Sequence, residues 1–204
     1  HRGTIKKKTD EIIVSSDGSN FKNKSGGSYL IGTKNGDIIA TGYNANTVDP
    51  SYQQSYISEA QAKLAGHTCL HYLCKYYNIT TPNTTLSCDN KGLFNKLEST
   101  SNKKKEKDRD IIHEIVKTVQ NKAHYTHVYG NQDEKGKPLN IEEYFNTIVD
   151  NIVNSNAQQP VQLNPPSQNA IYVNDKYIPY NYKKYLRQHI YSNQAKQFLK
   201  QKYI

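Results

Sequence analysis

Tryptophan and methionine are missing from this 204-residue chain, cysteine occurs only three times and phenylalanine four. Three cysteines cannot all pair, and their spacing gives neither a C-x-x-C pair nor a Cys/His zinc pattern. That excludes a disulfide scaffold and points to a reducing compartment. Long apolar runs are lacking as well. No stretch of 18 apolar residues occurs and the N-terminus has no apolar signal core, so the reading is an intracellular chain (cytoplasm or nucleus) with no membrane partner, not secreted. Leu, Ile, Val and Phe total 42, about a fifth of the chain, close to the level below which ordering becomes doubtful. A small core with polar connections is expected. The start at His1 reads as a cut from something longer.

What is present is positive charge, and it is uneven. The net charge of +9 is more than accounted for by two ends. Residues 1–9 carry Arg2, Lys6, Lys7 and Lys8 without an acid, and residues 171–204 carry seven basic residues against Asp175. Basic ends beside a near-neutral body suit a polyanionic partner, although a genome rich in A+T would write the same lysines, asparagines and tyrosines.

Periodicity divides the chain into a basic N-terminal segment (1–10), an α/β domain (11–153), an Asn/Gln/Pro-rich linker (154–170) and a basic, Tyr-rich extension (171–204). Within the domain, Glu11–Ser15, Ser28–Thr33 and Asp37–Gly42 read as strands, the last two joined by an Asn35-Gly36 hairpin. Ser58 with Gln61 forms a capping-box pattern that opens a helix reaching Tyr77. Thr84–Cys88 is a fourth strand, Lys91–Glu98 and Asp110–Ala123 are helices, and Tyr125–Tyr129 is a fifth strand. Asn140 with Glu143 caps another helix, carrying Phe145, Ile148, Val149 and Ile152. Ile171–Val173 and Tyr177–Ile178 suggest a hairpin, with a helix from about Tyr182. Hairpin-joined strands followed by strands alternating with helices predict a mixed sheet covered by helices on both faces.

Four acids fall at the ends of these elements: Asp17 after the first strand, Glu59 in the first turn of the first helix, Asp89 after the fourth strand and Asp150 in the helix after the fifth. Strand ends are where such sheets gather ligands, and several carboxylates suit hard ions such as Mg²⁺ or Mn²⁺. Each acid also has a plain alternative. Asp17 suits an Asp-Gly turn, Glu59 a helix dipole, Asp89-Asn90 a helix cap and Asp150 a solvated face.

Short motifs in a fixed order give a stronger signal. They are Val14-Ser15-Ser16-Asp17-Gly18-Ser19, Ser58-Glu59-Ala60, Leu86-Ser87-Cys88-Asp89-Asn90, Asp108-Arg109-Asp110-Ile111-Ile112, and His127-Val128-Tyr129-Gly130-Asn131-Gln132-Asp133 followed by Asn146-x-x-x-Asp150. Together the chain resembles ribonuclease H, most closely the ribonuclease H domains of retroelement reverse transcriptases, over about residues 11–153. The resemblance implies a ribonuclease H-like fold, with a five-stranded mixed sheet of three antiparallel then two parallel strands. It implies hydrolysis of the RNA strand of RNA–DNA hybrids with two Mg²⁺ ions, Mn²⁺ being an alternative, and the rest of a reverse transcriptase polyprotein as a further partner. It makes Asp17, Glu59, Asp89 and Asp150 the catalytic, metal-binding carboxylates. Ser19, Asn20, Asn90 and Lys91, beside them, become candidates for touching nucleic acid. One departure stands out: Asn131 occupies the place of a loop His, and no His occurs between Gly130 and Asp150. That departure favours a nucleic-acid-binding or scaffold module of the same fold with little or no catalysis; four intact carboxylates argue against it. A resolvase or transposase on this fold is a third reading.

His67 and His71 share a helix face at i, i+4, but without an H-E-x-x-H pattern they read as helix-surface residues. Cys69, Cys74 and Cys88 read as buried small hydrophobes. Asp133 and Glu134 read as a solvated loop. The cluster Tyr177, Tyr180, Tyr182, Tyr185 with Lys183 and Lys184 is the best candidate in the tail for contacts to bases and backbone.

Overall fold

A computed structural model describes residues 11–21, 24–45, 55–80, 82–98, 109–119, 123–156, 172–173, 176–177 and 182–202. The sheet contains β1 (Ile12–Phe21), β2 (Lys24–Thr33), β3 (Ile38–Ala45), β4 (Thr84–Cys88) and β5 (Ala123–His127), in the order β3-β2-β1-β4-β5. The first three strands are antiparallel neighbours, and β1–β4 and β4–β5 are parallel. The helices are α1 (Ser55–Tyr76), α2 (Lys91–Glu98), α3 (Arg109–Val119) and α4 (Ile141–Asn156). Beyond them, β6 (Tyr172–Val173) pairs antiparallel with β7 (Lys176–Tyr177), and α5 spans Tyr182–Lys202. The proposed 1–10 segment and most of the 154–170 linker lie outside the described residues.

The alternation of strand side chains sorts the core into two layers. Ile12, Val14, Ile31 and Leu86 pack with Ile57, Ala60, Leu64 and Leu70 of α1, Leu93 and Leu97 of α2, and Ile111 and Ile115 of α3. On the other face Ile13 and Leu30 meet Phe145 and Val149 of α4. A side chain at Gly32 would overlap the Phe145 ring, so the glycine is what lets α4 lie close against β2.

Local signals explain several boundaries. Asn140 and Glu143 form the expected reciprocal box at the start of α4: Glu143 N donates to Asn140 Oδ1 at 2.8 Å and Asn140 N to Glu143 Oε2 at 2.9 Å. The end of α1 turns on Asn78, in the left-handed region at φ 53°, with Ile79 N donating to the Cys74 carbonyl at 2.8 Å. Those are the bonds of a Schellman stop, which asparagine tolerates better than most residues.

Other boundaries differ from the sequence reading. α1 begins at Ser55, so Ser58 is a buried residue within the helix rather than its cap, and the Gln61 Oε1 expected in a capping box is buried without a partner. Tertiary packing against β1 extends the helix past the local signal. β1 runs through the Asp17-Gly18 pair, which forms ladder positions opposite Ser28 and Gly27 instead of a turn. β5 is displaced two residues towards the N-terminus, which leaves Val128 and Tyr129 beyond its end and makes Ala123 part of the strand rather than the end of α3.

Candidate active site

Register brings the first two acids together. β4 stays paired with β1 only as far as Ser15 opposite Ser87. Asp17 and Asp89 each lie two residues beyond that last pair, and a period of two aims their side chains to the same face where the strands part. Glu59 arrives from α1. A Cβ on Gly18 would land on the Glu59 amide nitrogen and the Ser58 carbonyl carbon, so only glycine admits the helix this near the strand. The result is a cluster in which one carboxylate oxygen from each of Asp17, Glu59 and Asp89 lies within 4.8 Å of the others. Asp17 and Glu59 are buried and Asp89 is half-buried.

Asp150 approaches from the opposite side on α4, half-buried and close enough for its charge to act on both Asp17 and Asp89. Ser28 Oγ donates to the neighbouring Val149 carbonyl at 2.6 Å and so ties this turn of α4 to β2. Asn154 Nδ2 holds Asp150 Oδ1 at 2.9 Å. All four predicted carboxylates therefore converge, three closely and one at the rim.

Burial makes this an expensive place for negative charge. It pushes the Asp17 carboxyl up to about 7, with the Asp89 and Asp150 charges adding to the effect and the Gly18 amide, 2.7 Å from Oδ1, opposing it. Burial likewise lifts Glu59 to about 8, opposed by the Lys63 ammonium and reinforced by Asp89 and Asp17. Asp89 is raised for the same first reason. Glu59 Oε1 is buried with no hydrogen-bond partner. Three crowded oxygen donors, one of them orphaned, fit a hard divalent cation, which supplies the missing positive charge and takes oxygen ligands. Among the described residues no second cluster of three such groups occurs.

The other predicted residues are placed less uniformly. Ser19 is half-buried on β1, and the Asn20 side chain lies outside the described residues. Asn90 caps α2, its Oδ1 accepting from Leu93 N at 3.1 Å, as the plain alternative for that pair held. Lys91 is exposed in the first turn of α2. Asn131 is exposed and adopts φ 52°, and Asp133 and Glu134 are exposed. In the tail, Lys183, Lys184 and Arg187 are exposed, whereas Tyr180 and the side chains of Tyr177 and Tyr182 lie outside the described residues. His67 corrects the helix-surface reading: it is buried, its Nε2 unpartnered, while His71 is exposed. Burial and the Lys63 charge push the His67 imidazole down to about 3.

Two residues near the acids were not singled out as site residues from the sequence. Lys63 is fully buried and donates to the Ser87 carbonyl at 2.8 Å. The clue available in sequence was the line Glu59, Lys63, His67 at every fourth position of one helix. His127 Nε2 donates to the Asp89 carbonyl at 3.0 Å, and its ring sits edge-to-face between Phe94 and Tyr129.

The sheet order β3-β2-β1-β4-β5, with acids where β1 and β4 part and helices on both faces, is the ribonuclease H fold. Solved structures agree. A ribonuclease H1 isolated from compost, itself determined with an RNA/DNA hybrid, is 14% identical, with a TM-score of 0.52 over 71% of this chain and 94% of its own. The N-terminal ribonuclease H domain of a Mycobacterium tuberculosis protein is 13% identical (TM-score 0.53, 75% of this chain and 100% of that one). The protease–reverse transcriptase of prototype foamy virus is 14% identical, with a TM-score of 0.54 over 79% of this chain and 22% of the viral one. What these neighbours share with this chain is the ribonuclease H fold. No protein-family model matches the sequence, and no curated protein matches it. Among the described residues no helix is long and apolar enough to cross a membrane.

Proposed function

We propose that this chain is a metal-dependent endonuclease that hydrolyses the RNA strand of RNA–DNA hybrids and leaves 5′-phosphates, as the ribonuclease H part of a reverse transcriptase polyprotein. The observation that carries this reading is the convergence of Asp17, Glu59 and Asp89 oxygens within 4.8 Å on a ribonuclease H sheet. In it, Asp17, Glu59 and Asp89 would hold the ions, together with Asp150 from α4. Two Mg²⁺ or Mn²⁺ ions, when bound, activate a water and stabilise the leaving 3′-oxygen of a phosphodiester. Asp17 and Glu59 are buried while Asp89 and Asp150 stay half-exposed, which leaves carboxylates for a substrate strand to approach. Preference for RNA requires donors or acceptors for 2′-hydroxyls, which DNA lacks. Ser19, Asn20, Asn90 and Lys91, neighbours of the acids in sequence, are the candidates for that contact; Asn90 has its Nδ2 for it, since Oδ1 is committed to the helix cap. The exposed Lys183, Lys184 and Arg187 of α5 supply phosphate contacts outside the site.

The test is cleavage of end-labelled RNA–DNA hybrid, double-stranded RNA and double-stranded DNA of one sequence, in Mg²⁺ and in EDTA. The expected result is Mg²⁺-dependent cutting of the hybrid's RNA strand with 5′-phosphate products. Tight hybrid binding with no cutting in Mg²⁺ or Mn²⁺ would instead support the scaffold reading, which the Asn131 substitution for a loop His favours.

A further inference from the structure

Lysine is among the residues least often fully buried, yet Lys63 is 0% exposed, one helical turn after Glu59. An ammonium taken out of water is costly unless it finds hydrogen bonds and opposite charge, and an apolar side chain of similar volume generally fills such a space at lower cost. The structure shows what offsets the cost. Lys63 Nζ donates to the Ser87 carbonyl at 2.8 Å, on the last residue of β4 that still pairs with β1 and two residues before Asp89. Its charge acts on Glu59 and Asp89 and opposes the upward push that burial gives each of them. Its charge also acts on Cys88 and His67. Lys63 thus joins, through one side chain, the helix that delivers Glu59 and the strand that delivers Asp89.

We propose that Lys63 is a built-in counter-cation of the carboxylate cluster: its buried ammonium, anchored on the Ser87 carbonyl, holds Glu59 and Asp89 together without metal and sets how tightly the cluster takes a divalent ion. The inference rests on the metal-site reading above. Two consequences have opposite signs, which separates this role from a merely structural one. Without metal, the acids repel one another less because Lys63 is there. With metal, the fixed positive charge competes with the ion, so removing it strengthens ion binding even as it weakens the unloaded protein.

The experiment compares wild-type chain and Lys63→Met by Mn²⁺ titration, following free Mn²⁺ by electron paramagnetic resonance, with thermal melts in EDTA alongside. Lys63→Met is expected to bind Mn²⁺ about tenfold more tightly while melting lower without metal. Equal or weaker Mn²⁺ affinity in a folded Lys63→Met overturns the proposal and leaves the metal site standing. No Mn²⁺ uptake by the wild type overturns the metal site and this proposal with it. Should Lys63→Met not fold, the wild type decides the matter through the ¹⁵N resonance of its Lys63 ammonium. A shift of that resonance as Mg²⁺ saturates supports the proposal, and an unmoved resonance overturns it.

Discussion

On one face of the sheet α1 buries a glutamate, a lysine and a histidine in line, whereas on the other α4 buries Phe145, Val149 and Val153 and brings a single acid to the rim. The first helix buries ionisable groups, and the second buries mainly apolar ones, with Asn146 as its buried polar exception. Glu59 is deeply buried and Asp150 half-exposed, although the proposed function uses both as metal ligands. The difference teaches that stability and chemistry are unequally shared: α4 contributes mostly burial, and the α1 side accepts a penalty that a bound cation would relieve.

The comparison breaks most sharply at the strand acids. Asp17→Asn and Asp89→Asn each keep shape while deleting a metal charge, so each should cut hydrolysis about a thousandfold, roughly 4 kcal/mol of barrier. Their metal-free melting temperatures should stay level or rise, because acid–acid repulsion is relieved. Single-turnover cleavage and a thermal melt check both halves. Phe145→Ala tests the packing of α4. Its ring is fully buried against Ile13 and Leu30, and truncation should cost about 3–5 kcal/mol of unfolding free energy by urea titration.

A smaller effect is expected at Asp150. Because it stands at the rim of the three-oxygen cluster, Asp150→Asn should lower the cleavage rate about tenfold, with partial recovery at higher Mn²⁺. A loss as deep as that of Asp17→Asn would show Asp150 to be an equal partner in the site.

The smallest effect sharpens the electrostatic half of the contrast. In the fold Asp17 titrates at about 7 and Glu59 at about 8, above their ordinary values of 3.8 and 4.5. Between those limits the folded chain holds protons that the unfolded chain has released, so this contribution to stability is present below pH 4 and is lost as pH rises towards 8. In EDTA the melting temperature should therefore be higher at pH 6 than at pH 8, and excess Mg²⁺ should narrow the gap. A metal-free midpoint that climbs with pH would contradict the assignment of Asp17 and Glu59 as strained acids.

Much of this architecture was legible from residues. The Asn140–Glu143 box, the Asn35-Gly36 hairpin and Asp89 just past the end of β4 are local patterns that the structure keeps. What was not legible depends on contacts between distant segments. The Ser58–Gln61 box had the right spacing, but packing of α1 over Gly18 starts the helix earlier and buries both residues. Asp17-Gly18 carries the signature of a turn, yet a full ladder to β2 carries the strand through it. Lys63 and His67 are polar by residue type, and the Ser87 carbonyl that receives Lys63 comes from β4, a segment distant in sequence.

The central claim is that Asp17, Glu59 and Asp89 form one divalent-cation site, and a direct measurement is Mn²⁺ binding by the wild type and by an Asp17→Asn/Asp89→Asn double variant at pH 8. Saturable binding by the wild type, displaced by Mg²⁺ and lost in the folded double variant, is the predicted result. Equal binding by the two proteins, or none by the wild type, would contradict it.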